Sequence, residues 1–140
     1  MLFRSAPHMD EWEQSGELPR DLHRKAADVG LLGVGFAEEV GGSGGDAIDS
    51  AIITEEILHG GGSTGVCAAL FTQGIALPHI AANGSPELVD RYVRPTLAGQ
   101  LIGSLAVSEP GGGSDVANLR ARAVLDGDEY VVNEIGRAHV

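Results

Sequence analysis

An α+β chain is predicted, with helices first and antiparallel strands after them. Two observations predict this order. From Asp21 to Arg94 apolar residues recur at three- and four-residue spacing, the period of a helix with a buried face. Beyond Ala98-Gly99 the period drops to two, with Leu119, Ala121, Ala123 and Leu125 alternating with polar or charged neighbours. The punctuation supplies a third observation. Asp126-Gly127 is a strong signal for a two-residue hairpin turn, and Tyr130 and Val132 continue the alternation in the return strand. Helices followed by strands imply two layers or two domains.

The elements follow in order. Asp21 can cap a helix through about Val29, with Leu22, Ala26 and Val29 on one face and Gly30 as its stop. The apolar run Leu31 to Phe36 is too short for a further helix and reads as a connector. Gly41-Gly42-Ser43-Gly44-Gly45 has the composition of a flexible linker, but the residues before it are too few to hold a core alone. Asp46 starts a second helix through roughly His59. There Ile48 and Ile52 form one stripe and Ile53 and Ile57 another, so burial on two sides is expected. A third helix should run from about Ser63 to Asn83, bent or interrupted at Pro78 and ended by Gly84. Ser85-Pro86 is a cap followed by proline at the first helical position. It opens a helix that carries Leu88, Tyr92 and Val93 and stops near Pro95. Strands are expected at Leu101 to Val107, Leu119 to Leu125 and Asp128 to Asn133.

Composition bounds the function. The net charge of −11 argues against a nucleic-acid backbone as partner. The 21 glycines point to tight turns or close backbone contacts, and no Gly-X-Y period suggests collagen. Cys67 is the single cysteine, which excludes a disulfide framework and fits a reducing, cytoplasmic setting. No apolar run reads as a membrane span and no signal peptide is visible. No Cys or His sits at metal-ligand spacing, so no metal is expected. Glu55 and Glu56 are adjacent on a helix and point about 100° apart, so they form a solvated face and not an acid–base pair.

The most informative stretch is Ser108-Glu109-Pro110-Gly111-Gly112-Gly113-Ser114-Asp115. Pro110 should end the strand before it, and the glycines let the backbone turn and approach a ligand. Amides of such a loop can converge on an anion, with Ser108 and Ser114 adding hydroxyl donors. That chemistry suits a phosphate-bearing cofactor; the bland alternative is a mere turn.

This octapeptide after an apolar strand closely resembles the flavin-binding segment of acyl-CoA dehydrogenases. The resemblance extends from Ala6 to Asn133. Leu31 to Gly42 is similar to the family's first-domain turn, with Ala37 where proline is more usual, and Asp126 to Asn133 to its first β-hairpin. It implies an N-terminal all-α domain at 6–102, and at 103–133 the first strands of an antiparallel β-barrel-like domain. The C-terminal helical bundle, and with it the catalytic carboxylate, is absent, so no catalytic residue is assigned. The ends 1–5 and 134–140 read as translated sequencing adapter; the alternative is ordinary termini.

The resemblance also implies the chemistry. A family member bearing FAD oxidises an acyl-CoA to a trans-2-enoyl-CoA and passes electrons to an electron-transfer flavoprotein. It acts in fatty acid β-oxidation, usually as a homotetramer. By position, Leu105, Val107 and Ser108 should lie along the flavin ring, with Ser108 replacing the commoner threonine. Gly113 and Ser114 should meet the pyrophosphate, and Ser114 also the pantetheine arm of the substrate. Cys67, Phe71 and Ile75 share one helix face by spacing. In the family that helix borders the acyl cavity, so they are candidates for lining it, with plain core packing as the alternative. An acyl-CoA oxidase or flavin monooxygenase of the same fold, or a non-enzymatic acidic binding module, are the competing functions.

Overall fold

The computed structural model describes residues 6–111 and 113–133. The two expected adapter segments and Gly112 lie outside the described residues. The chain divides into two compact units between Gly103 and Ser104.

The first unit is helical. It contains α1 (Met9–Ser15), α2 (Arg20–Asp28), α3 (Ala47–His59), α4 (Thr64–Leu70), α5 (Gln73–Asn83), α6 (Pro86–Leu88) and α7 (Arg94–Leu97). Helix α1 escapes the sequence pattern because only Met9 of its seven residues is buried. Helix α2 begins one residue before Asp21 and has no side-chain cap, and Val29, its C-cap, is 60% exposed. Leu22 and Ala26 therefore carry its buried face.

Asp46 caps α3 as expected. Its carboxylate accepts from the Ile48 and Asp49 amides at 2.7 and 3.3 Å, and Asp49 returns a carboxylate to the Asp46 amide at 2.9 Å, a reciprocal capping box. Only one of the two isoleucine stripes is covered. Ile57 is fully buried, whereas Ile48 and Ile52 are 68% and 51% exposed.

The expected helix from Ser63 to Asn83 is two helices, broken at Phe71-Thr72 and not at Pro78. Thr72 Oγ1 donates back to the carbonyls of Ala68 and Ala69 at 3.0 and 3.1 Å, competing with the backbone ladder. Pro78 sits inside α5 with no amide to give. Thr64–Asn83 together is long and apolar enough to cross a bilayer by length and composition, contrary to the expectation from sequence. Its buried side chains Val66, Leu70 and Leu77 instead enter the two cores of this unit.

Ser85 caps α6, with Pro86 at its first position. A widened π turn, Val89–Val93, follows. It precedes Pro95, whose ring would otherwise press on the Arg91 carbonyl. The helical path thus runs on through Leu97, and its buried stripe is Val89, Val93 and Leu97. Leu88 and Tyr92 are 42% and 38% exposed.

One core joins Met9, Leu22, Ala26, Leu32, Val66 and Leu70. The other joins Phe36, Leu77, Val89, Val93 and Leu97. Gly41 to Gly45 is no linker. The Gly35 amide donates to the Gly44 carbonyl at 2.8 Å, the Gly44 amide to Phe36 at 2.9 Å and the Ser43 amide to Gly33 at 2.8 Å. A Cβ on Gly42 would lie 2.1 Å from the Phe36 carbonyl oxygen, so this close crossing requires glycine.

The second unit holds one antiparallel hairpin, β1 (Arg122–Asp126) and β2 (Glu129–Asn133), in register Ala123 with Val132 and Val124 with Val131. Its loop is Gly127-Asp128. Gly127 has φ +62° and no described non-glycine residue has positive φ, the pattern of a type II′ turn. Asp126 is thus the last strand residue and not the first loop residue. No strand forms over Leu101 to Val107, because no described segment offers its backbone a partner. The β1 strand starts at Arg122 and not at Leu119; in its register residues 119–121 fall opposite 134–136, which lie outside the described residues.

Candidate functional site

Two places bring candidate residues together, one in each unit. In the second unit the chain from Ser104 to Val107 is irregular, with Leu105 44% exposed and Val107 and Ser108 half-buried. Glu109 then clasps the loop shut. Its carboxylate accepts from the Arg120 amide at 2.8 Å and from the Ala121 amide at 2.7 Å. These are the amides that a strand starting at Leu119 would have spent on a neighbour. At the far end of the loop Asn118 Nδ2 donates to Asp115 Oδ2 at 2.7 Å, and the Asn118 amide to the Asp115 carbonyl at 3.2 Å.

Between these ties Gly111, Gly113 and Ser114 are exposed. Gly111 and Gly113 do not have left-handed backbone angles. A Cβ on Gly111 would meet nothing within 4 Å, and one on Gly113 only Ser108 Oγ at 3.9 Å. The loop's own packing therefore makes no demand for glycine at either position. What glycine leaves there is open space beside exposed amides, with the Ser108 hydroxyl facing Gly113. A phosphate group that must come close to backbone N–H donors fits that space. Gly112 lies outside the described residues. Glu109 was not singled out from sequence as a positioning residue; an acidic residue just ahead of Pro-Gly was the signal that could have found it.

In the first unit Phe71, half-buried at the break between α4 and α5, lines a cavity of about 190 Å³ with Leu31, Val34, Phe36, Ile53 and Gln73. The lining is mostly apolar, with Ser50 and Thr54 adding hydroxyls and Gln73 tied to the Leu32 carbonyl by a 3.4 Å hydrogen bond. Such a space takes a small apolar group. Cys67 and Ile75 do not share it. Cys67 is buried one turn earlier, where burial pushes its thiol pKa up, and Ile75 is 61% exposed. Spacing of four and eight put the three on one face, but the break at Thr72 and the curvature of the pair separate their surroundings. Among the described residues no three His, Cys, Asp or Glu side chains are placed to hold a metal ion.

Comparison with known proteins bears on this arrangement. The family model described as acyl-CoA dehydrogenase, N-terminal domain, matches residues 4–100. The crystal structure of a probable acyl-CoA dehydrogenase from Mycobacterium abscessus is 70% identical, with a TM-score of 0.87 over 94% of this chain and 38% of that one. The long-chain specific acyl-CoA dehydrogenase of Sus scrofa mitochondria is 41% identical over 91% of this chain and 29% of its own length. A caffeyl-CoA reductase–Etf complex subunit from Acetobacterium woodii is 33% identical over 89% of this chain and 33% of that protein. The chain thus spans about a third of the proteins it matches. With helices, glycine loop and hairpin in this order, and a family model covering most of the helical unit, the chain belongs to the acyl-CoA dehydrogenase family.

Proposed function

We propose that the chain is part of an FAD-dependent acyl-CoA dehydrogenase that oxidises an acyl-CoA to the trans-2-enoyl-CoA and passes its electrons to an electron-transfer flavoprotein. The observation that carries this reading is the Ser108–Asp115 loop, whose Gly111 and Gly113 face open space that their own fold does not need. Bound FAD supplies the acceptor for the hydride that leaves the substrate β-carbon. The chain's residues bind and orient. The Gly113 amide and Ser114 hydroxyl donate to the pyrophosphate, and Ser114 also serves the pantetheine arm. Leu105 and Val107 offer apolar surface along the ring, with the Ser108 hydroxyl beside them. Glu109 holds the loop in place from below. Phe71 lines the acyl end, with Cys67 behind it in the core. The carboxylate that takes the α-proton is assigned to no residue here, so the 140-residue chain alone is expected to be inactive. A homotetramer acting in β-oxidation completes the proposal, and the Etf-complex relative supports the choice of electron acceptor.

A chimera tests it. Residues 6–133 replace the aligned segment of the Mycobacterium abscessus protein, and bound FAD is read by absorbance after gel filtration. The expected result is a yellow protein that reduces a dye when an acyl-CoA is added. A folded chimera without flavin overturns the reading.

A further inference from the structure

The cavity beside Phe71 holds polar groups that no neighbour answers. Its walls come from the connector Leu31 to Phe36, from α3 and from the junction of α4 and α5, all within the helical unit. Gln73, the first residue of α5, is only 6% exposed. Its side chain makes one hydrogen bond among the described residues, to the Leu32 carbonyl. A carbonyl can only accept, so the nitrogen Nε2 faces Leu32 and the oxygen Oε1 is left over. Among the described residues His23 Nδ1 is the one side-chain atom sealed in the packing without a partner. The Gln73 oxygen is therefore not sealed, and it meets open space in the cavity that the residue lines. A buried amide oxygen costs free energy until a donor reaches it.

Ser50 and Thr54 add to it from α3. Thr54 Oγ1 donates to the Ser50 carbonyl at 2.9 Å, and Ser50 Oγ to the Asp46 carbonyl at 3.1 Å. Each hydroxyl has spent its one hydrogen along its own helix, so each offers the cavity lone pairs alone. The oxygens of Ser50, Thr54 and Gln73 thus stand as acceptors against a single donor, the second hydrogen of Gln73 Nε2. No charged side chain lines the space. An apolar group fills its middle and leaves these atoms unanswered. A carboxylate would set its oxygens against theirs, and a ketone has no hydrogen to give. An ammonium would be buried without a counter-charge. A hydroxyl donates to an acceptor and accepts from the Gln73 amide, which matches the set.

We infer that the acyl group this site takes bears a hydroxyl at its far end, received by Gln73 with Thr54 and Ser50 as further acceptors, so that the substrate is a hydroxyacyl-CoA. The inference rests on the proposed reaction and names its substrate class. The hydroxyl takes no part in the oxidation and remains on the enoyl product.

The chimera carrying residues 6–133 tests it. kcat/KM is measured for straight-chain acyl-CoAs over a range of lengths and for the same chains with a terminal hydroxyl. At the preferred length the hydroxylated substrate should be favoured about tenfold or more, because the plain chain leaves the buried amide unpaired. Gln73→Leu should remove that preference, chiefly through KM, and Thr54→Val should lower it about threefold. Bound flavin and Tm report that each variant is folded. A purely structural Gln73 would lower both substrates alike on substitution. Equal kcat/KM for the two series at every length overturns the inference, and so does a preference that survives both substitutions. A colourless chimera overturns the proposed reaction and this inference with it. A yellow chimera that favours the plain chain overturns this inference alone.

Discussion

On the proposed reading, a single hydrogen at Gly113 carries the flavin site. Its position tolerates a side chain in the loop's own structure, since only Ser108 Oγ comes within 4 Å of a built Cβ. Gly113→Val in the flavin-bearing chimera should therefore leave folding untouched and abolish flavin retention, because the added branch fills the space the phosphate needs. Ser114→Ala removes one hydroxyl. A hydrogen bond to a charged group contributes roughly 1.5–3 kcal/mol, so FAD affinity should fall about ten- to a hundredfold. Equal flavin content in Gly113→Val and wild type would reduce the loop to a turn.

Cys67 makes the opposite case, a reactive atom withdrawn from use. It is buried, and desolvation raises its pKa above the ordinary 9.0. The folded thiol should resist alkylation at neutral pH and react fully once guanidinium unfolds the unit. The raised pKa also has a linkage consequence. Below the unfolded value both states hold the proton and the stability is intact. Above it the unfolded state releases its proton first, so stability falls as pH rises past about 9 toward the folded value. Cys67→Ala should flatten that alkaline decline in a thermal melt series.

At the scale of elements, the α3 capping box and the Gly42 crossing are the two local devices on which the first unit depends most visibly. Asp46→Ala frees two amides at the start of α3 and should cost about 1 kcal/mol, lowering Tm by roughly 4–8 °C. Gly42→Ala should be far worse, because the built Cβ falls 2.1 Å from a backbone carbonyl that cannot rotate away. If differential scanning calorimetry ranks them the other way, the Gly33–Gly45 crossing is looser than its hydrogen bonds indicate. The α3 cap and the Ser85 cap were legible in the sequence, since each is set by a few adjacent residues, and the hairpin was legible with its turn one residue early. The break at Thr72 was not, because a threonine hydroxyl that turns back to the Ala68 and Ala69 carbonyls leaves no mark in the apolar spacing. Nor was the Glu109 clasp, whose partners lie 11 and 12 residues away.

At the scale of the molecule, the two units carry different loads. The helical unit closes two cores and leaves Ile48 and Ile52 exposed, while the hairpin buries nothing on either face. An isolated two-stranded hairpin is marginal in water. Hydrogen exchange should therefore be slow at Val66, Leu70, Val89 and Val93 and near the unprotected rate across β1 and β2 in dilute monomer. Comparable protection in both regions of the dilute chain would contradict this division.

By itself the sequence determined the order of helices and strands, the caps at Asp46 and Ser85, the existence of the hairpin and the glycine loop with its family likeness. Each of these follows from backbone angles, caps or a short period, and all are local. The hairpin register was not among them; it shifts because the turn is Gly127-Asp128 and not Asp126-Gly127. Only the tertiary structure decided which isoleucine stripe of α3 is covered, that Gly41 to Gly45 packs and does not link, that Phe71 and not Ile75 faces the cavity, and that Leu101 to Val107 stays unpaired. These depend on neighbours distant in the chain, and a residue's own chemistry does not say which surface will arrive to cover it.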